Sequence, residues 1–213
     1  MLIGKDGYAK ITDFGLSKEG VEGQALAMSF CGTPEYLAPE TLLHAGTGKA
    51  GDWWSFGCIL YEMLVGVPPF YSQNRHELYE SIKHREINFY ADEQLAKRGA
   101  SDEFKDLVTK LLIKDPAKRF GGSDRDAEEI KAHGFFSKSI PNWDDLLSKR
   151  YIPPYVPNLD SEEDVRHFDN VFTEMDPFGS YTAPARAEAP RKVSADMWSD
   201  FSLDNDNDDF DDH

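Results

Sequence analysis

The amino-acid sequence predicts a mainly α fold that opens with one short β-hairpin and closes in an extended, partly disordered tail. Three observations predict it. Apolar residues recur at helical spacing through the middle of the chain, strand-like pairs are confined to the first eleven residues, and beyond Pro177 the composition turns to Ala, Pro, Ser and Asp.

Leu2-Ile3 and Tyr8-Ala9-Lys10-Ile11 read as two strands joined by the tight turn Gly4-Lys5-Asp6-Gly7, in which the Asp-Gly step supplies the positive-φ residue a hairpin turn needs. From Asp13 to Glu40 there is no sustained period, many Gly, Ser and Thr, and a proline at 34 and at 39. Loops of that length in a compact domain are usually functional.

The stretch from Asp52 to Leu64 is apolar on nearly every face and predicts a helix buried all round, with Asp52 as its N-cap. Arg75 to His84, with Leu78 and Ile82, and Ser101 to Lys114, with Phe104, Leu107, Val108, Leu111 and Leu112, predict amphipathic surface helices. Ser101-Asp102-Glu103 suits a helix start. Ala127 to His133 reads as one more short helix, and Pro141 to Pro157, rich in Pro, Trp and Tyr, as an extended strap. Past Pro177 too little apolar surface is available to offset the entropy of ordering, so disorder is expected there.

Length and composition narrow the functional classes. A chain of 213 residues, 40% hydrophobic, can bury one ordinary core and carry a tail. The formal charge is −16, but residues 196–213 hold eight Asp and no Lys or Arg, leaving −16 + 8 = −8 for the rest. An acidic chain is not attracted to phosphate backbones or anionic lipid, which argues against nucleic-acid and membrane partners and for basic protein partners or substrates. The two cysteines, Cys31 and Cys58, do not make a disulfide framework. With no membrane-spanning apolar run and no signal-peptide pattern after Met1, a reducing cytoplasmic or nuclear compartment is expected.

Two metal and phosphate readings fail on spacing. His76 and His84 have no ligand-like partners among neighbouring Cys or carboxylates, so no metal site is built from them. The run Gly46-Thr47-Gly48-Lys49-Ala50 lacks the first glycine of a phosphate loop, which would fall at Leu43, and has Ala50 in place of the hydroxyl residue.

Other motifs fit together. Ile11-Thr12-Asp13-Phe14-Gly15 opens the long loop and Ala38-Pro39-Glu40 closes it; Cys31-Gly32-Thr33-Pro34-Glu35-Tyr36-Leu37 lies between, and Asp52-Trp53-Trp54-Ser55-Phe56-Gly57 follows. In this order they resemble the activation segment and succeeding helix of AGC-family serine/threonine protein kinases. The tail stretches Tyr151-Ile152-Pro153-Pro154-Tyr155-Val156-Pro157 and Asp164 to Thr173 are similar to the AGC C-terminal extension, with the ribosomal-protein-kinase and Akt branch nearest. The resemblance implies a protein-kinase-like C-lobe, incomplete. Residues 1–136 would be a partial kinase domain, 137–203 the C-terminal extension and 204–213 an acidic disordered tail.

Phosphoryl transfer requires charge neutralisation more than covalent chemistry, so a carboxylate must hold Mg²⁺ against the ATP phosphates. By resemblance that ligand is Asp13, and Thr33 is the threonine that hydrogen-bonds the catalytic Asp. Phe30, Pro34 and Leu37 would form the pocket for the residue after the phosphoacceptor. Glu62 and Glu35 would favour a substrate arginine. Ser29 and Ser202 correspond to phosphosites, the first a target of an upstream activating kinase. Phe168 would approach the adenine of ATP. Glu40 and Arg119 correspond to a buried ion pair, and Asp52 to a carboxylate that receives catalytic-loop backbone amides.

No Gly-rich loop, strand lysine, helix glutamate or His-Arg-Asp catalytic loop precedes Asp13 in this sequence. Three readings stay open: a monomeric ATP- and Mg²⁺-dependent kinase for Arg-containing substrates whose N-terminal half lies outside this sequence, a docking or regulatory fragment, and a nonfunctional remnant. The chain by itself is expected to be inactive and to fold poorly, because its central helix lacks part of its apolar surroundings.

Overall fold

A computed structural model of the chain describes residues 1–19, 21, 26–27, 32–87, 89 and 99–175. Ser29, Phe30 and Ser202, and the tail beyond Pro177, lie outside the described residues. The described residues are mostly helical with one small two-stranded sheet, and they fall in two compact parts, 1–158 and 159–213. No described helix is long and apolar enough to cross a membrane.

The first part opens with strands β1 (Leu2–Ile3) and β2 (Ala9–Lys10), paired antiparallel with Leu2 opposite Lys10 and Ile3 opposite Ala9. Gly4 and Gly7 close the turn: the Gly4 amide donates to the Tyr8 carbonyl and the Gly7 amide to the Gly4 carbonyl, each at 2.8 Å. Gly7 adopts φ +82°, the left-handed conformation the Asp-Gly step predicts.

A 3₁₀ turn (Pro34–Tyr36) and helix α1 (Pro39–Leu42) lead to α2 (Lys49–Val65), the centre of this part. Helix α2 begins at Lys49, with Gly48 as the N-cap, so Asp52 does not cap it. The carboxylate lies inside the first turn, where the helix dipole still favours negative charge. Nor is α2 buried all round. Ala50, Gly51, Trp54, Gly57, Cys58 and Tyr61 form its buried stripe, while Asp52 is open to solvent and Met63 is 65% exposed. Apolar composition alone did not distinguish the face packed on neighbours of this chain from the face turned away from them.

Helix α3 (Arg75–His84) is capped by the Asn74 side chain, which accepts from the His76 and Glu77 amides at 2.9 and 3.3 Å. Helix α4 (Asp102–Leu111) is capped by Ser101, whose hydroxyl accepts from the Phe104 amide at 3.2 Å. Helices α2 and α4 pack so closely that a Cβ at Gly57 would stand 2.8 Å from the Leu111 Cβ. Around this contact Trp54, Cys58, Phe70, Ile82, Leu107, Val108 and Leu111 are fully buried.

An aromatic series continues the core outward: Tyr61 against Phe89, Phe89 against Phe104, Phe104 against Phe135, Phe135 against Phe136 and Phe136 against Trp143, with ring centroids 5.0 to 6.4 Å apart. Its outer members sit beside or on short helices α5 (Asp126–Lys131), α6 (Gly134–Ser137) and α7 (Trp143–Leu147). Helix α7 interrupts the stretch the sequence predicts as a continuous extended strap; the Asn142 side chain starts it by accepting from the Asp144 amide at 2.9 Å. Residues 151–158 form neither helix nor strand.

In the second part, Asp164 organises the chain ahead of α8 (Asn170–Thr173). Its carboxylate accepts from the Asp160 and Arg166 amides at 2.9 and 3.1 Å and pairs with the Arg166 guanidinium at 2.8 Å. These donors, the Asp160 amide foremost, hold its pKa down at about 2.

Candidate functional site

Three residues past β2 the chain reaches Asp13, whose carboxylate is exposed and whose backbone has φ 64°. A non-glycine residue in the left-handed region costs on the order of 1 kcal/mol. Such strain is found where a side chain must be presented in a particular direction. The Phe14 carbonyl then accepts from the Ser17 hydroxyl at 2.6 Å and the Ser17 amide at 3.0 Å, closing a turn directly after Asp13-Phe14-Gly15.

The 3₁₀ turn carries the next group. Thr33, exposed, precedes it, and its carbonyl accepts from the Tyr36 amide at 3.1 Å. Pro34 and Glu35 are half-buried and Leu37 is buried. The turn is fastened to α2 twice: the Tyr36 hydroxyl donates to Glu62 Oε2 at 2.5 Å, and the Ser55 hydroxyl donates to the Tyr36 carbonyl at 2.9 Å. The Glu62 carboxylate, by accepting a hydrogen bond from the neutral phenol, pushes the Tyr36 pKa up to about 12, aided by burial and by the Glu35 charge. Glu35 and Glu62 thus both act on one phenol, and Glu62 Oε1 is the oxygen that Tyr36 does not engage.

Beside this turn is a cavity of about 450 Å³. Ser17 and Lys18 line it from the segment after Asp13, Tyr36 and Leu37 from the turn, and Lys49, Asp52 and Ser55 from the first turns of α2. Solvent reaches Asp52, yet the surrounding protein and the nearby Asp126 carboxylate raise its pKa. Asp126 is held in turn by the Trp53 indole, whose Nε1 donates to Oδ1 at 2.7 Å.

Beneath the cavity is a buried ion pair. Arg119 donates to Glu40 Oε1 at 2.6 Å and to Oε2 at 2.8 Å. It also donates to the carbonyls of Ile113, Ala50 and Lys114 at 2.9, 2.8 and 3.0 Å, so all five guanidinium N–H groups have acceptors. The pair joins α1, the first turn of α2 and the chain after α4.

The structure therefore brings Pro34, Glu35, Leu37 and Glu62 together around Tyr36. Asp13 stands at the end of the hairpin. Phe168 lies in the second part, 51% exposed. Among the described residues no group of three His, Cys, Asp or Glu converges as a metal cluster. A single exposed carboxylate does fit Mg²⁺, which keeps several waters and takes one or two protein carboxylates together with substrate phosphates. Sequence reasoning assigned no role to Tyr36 or Ser55. The link from 36 to 62 is tertiary, and no spacing along the chain announces it.

Residues 1–136 match the protein kinase domain family, and residues 159–211 match the protein kinase C terminal domain family. The chain is 43% identical over 201 residues to the RAC-beta serine/threonine-protein kinase of Rattus norvegicus, covering 94% of this chain and 40% of that protein. It is 47% identical over 173 residues to the Homo sapiens protein of the same name, covering 81% of this chain and 34% of that protein, and the Xenopus laevis RAC-beta serine/threonine-protein kinase B matches over the same shares. The chain thus spans well under half the length of these relatives.

Proposed function

The chain belongs to the protein kinase family, in its AGC group, and from that premise we propose that it supplies the activation segment and large-lobe portion of an Akt-like serine/threonine kinase acting on substrates that carry arginine near the phosphoacceptor. The observation that carries the substrate reading is the acidic pair at Tyr36. Glu62 is fixed through one oxygen by the Tyr36 hydroxyl, and its second oxygen, with the Glu35 carboxylate nearby, suits a guanidinium. Pro34 and Leu37 give the adjoining apolar surface.

Asp13 would hold Mg²⁺ and Phe168 would meet the adenine of ATP. When bound, the metal neutralises the phosphate charge that builds during transfer. What these residues do themselves is narrower: Asp13 presents one hard oxygen, Glu62 and Glu35 orient a basic peptide, and the Glu40–Arg119 pair keeps α1 and α2 in register beneath them. No His-Arg-Asp loop is present in the sequence to position the acceptor hydroxyl, so the chain alone is expected to bind peptide without turnover.

The test is fluorescence anisotropy with a labelled Arg-containing peptide and its Arg→Ala counterpart. The Arg peptide should bind the chain about tenfold more tightly, and Glu62→Gln should erase that difference, since a charge-assisted hydrogen bond contributes about 1.5–3 kcal/mol. Equal binding of the two peptides overturns the substrate reading. Phosphotransfer above that of Asp13→Ala overturns the expectation of no turnover.

A further inference from the structure

The β1–β2 hairpin pairs only two residues on each strand, and all four are exposed. A lone two-stranded hairpin is marginal in water. On the side of α7, Tyr8 and Lys10 line a hollow of about 430 Å³ together with Trp143 and Leu147. What holds it lies elsewhere.

Asp6 and Gly7 of the turn and Tyr8 at its exit touch the segment at 149–155, some 143 positions away. The Tyr8 hydroxyl donates to the Tyr151 carbonyl at 2.6 Å. Asp6 pairs with Lys149, whose ammonium stands 5.6 Å from the Tyr8 ring centroid. At Gly7 the strap lies directly on the backbone, because a Cβ there would be 2.5 Å from the Tyr155 carbonyl oxygen and 2.7 Å from Pro153 Cβ. Pro153 and Pro154 stiffen the strap, so it loses little freedom on docking.

Five residues after Tyr8 comes Asp13, reached through exposed Ile11 and Thr12 that make no strand pairing. Only those two residues separate Asp13 from β2, so its reach is limited by the hairpin, whose turn the strap contacts. We infer that residues 149–155 form a clamp on the hairpin turn, and that Gly7 and Tyr8 are positioning residues for Asp13. The inference rests on the reading of Asp13 as a metal ligand only in its last step.

Hydrogen exchange on the full chain tests the clamp, with α4 as the control for intact folding. Tyr8→Phe should speed exchange about fivefold, the loss expected for one hydrogen bond, both in residues 2–13 and in residues 150–157, with α4 unchanged. Gly7→Ala should do more in both segments. Unchanged exchange in both segments overturns the clamp. The positioning step is read separately by NMR, from Mn²⁺ broadening of the Phe14 and Gly15 amides. Tyr8→Phe should weaken that broadening, and Asp13→Ala should abolish it. Broadening abolished by Asp13→Ala but untouched by Tyr8→Phe overturns positioning. Broadening that survives Asp13→Ala overturns the metal reading, and the exchange result still decides the clamp.

Discussion

Glu40 and Arg119, 79 residues apart in sequence, meet in a two-pronged ion pair of 2.6 and 2.8 Å that is almost wholly buried. Burial makes the pair costly to break. Removing one partner leaves a charge with neither water nor counter-ion, a loss of about 3–5 kcal/mol. Arg119→Ala should therefore lower the urea midpoint sharply, and Arg119→Met with Glu40→Leu should recover much of the loss. Equal loss in single and double variants would mean that the carbonyl bonds of Arg119, and not its charge, hold the site.

Gly57 lies where α2 packs against α4, with the Leu111 Cβ and Leu112 Cδ2 2.8 and 3.0 Å from any added Cβ. Gly57→Val should destabilise by about 1–3 kcal/mol through overpacking. Chemical denaturation measures it. Gly66, which ends α2 at φ 89° with open space around it, provides the contrast. Substitution there strains the backbone and leaves the helix contact intact.

The Tyr36 phenol has its pKa raised from 10 to about 12 by its bond to Glu62. A raised pKa gives stability that is fully present below pH 10 and is lost as pH rises toward 12. Between those values the wild-type chain should lose stability faster than Tyr36→Phe. Parallel denaturation curves at pH 9 and pH 11 would show that the phenol does not depend on Glu62.

Lys114 behaves in the opposite sense. Its ammonium lies 4.0 Å from the Phe70 ring centroid and 4.8 Å from that of Trp54, and donates to the Ile82 carbonyl near the end of α3 at 2.6 Å. Desolvation lowers its pKa from 10.5 to about 8. The native state then carries fewer protons than the unfolded chain between those values, so stability should rise as pH increases from 8 toward 10.5. Lys114→Met should abolish that rise, as measured by denaturation at pH 7.5 and 9.5.

Much of the architecture was legible in the sequence because local signals agree with packing. Leu78 and Ile82, three and seven residues into α3, mark its buried face, and Ser101 marks the start of α4 through its own side chain. The start of α2 was not legible. Asp52 looks like a cap, but the capping residue is Gly48, which has no side chain to advertise the role. Helix α7 hid among Pro, Trp and Tyr, although Asn142 caps it in the ordinary way. In the candidate site, Asp13, Glu35 and Glu62 stand out by residue type and motif. Tyr36, which joins two of them, depends on a fold-level contact that no periodicity carries.

Trp54 is fully buried, stacked on Phe70 with centroids 5.5 Å apart and planes at 8°. Its indole N–H has no acceptor among the described residues, whereas that of Trp53 is bonded to Asp126. An indole buried away from water, with its N–H unbonded, emits at short wavelength. Loss of the α2–α4 core should therefore appear as a red shift in tryptophan emission, giving the chain an optical gauge of its own interior without any attached dye.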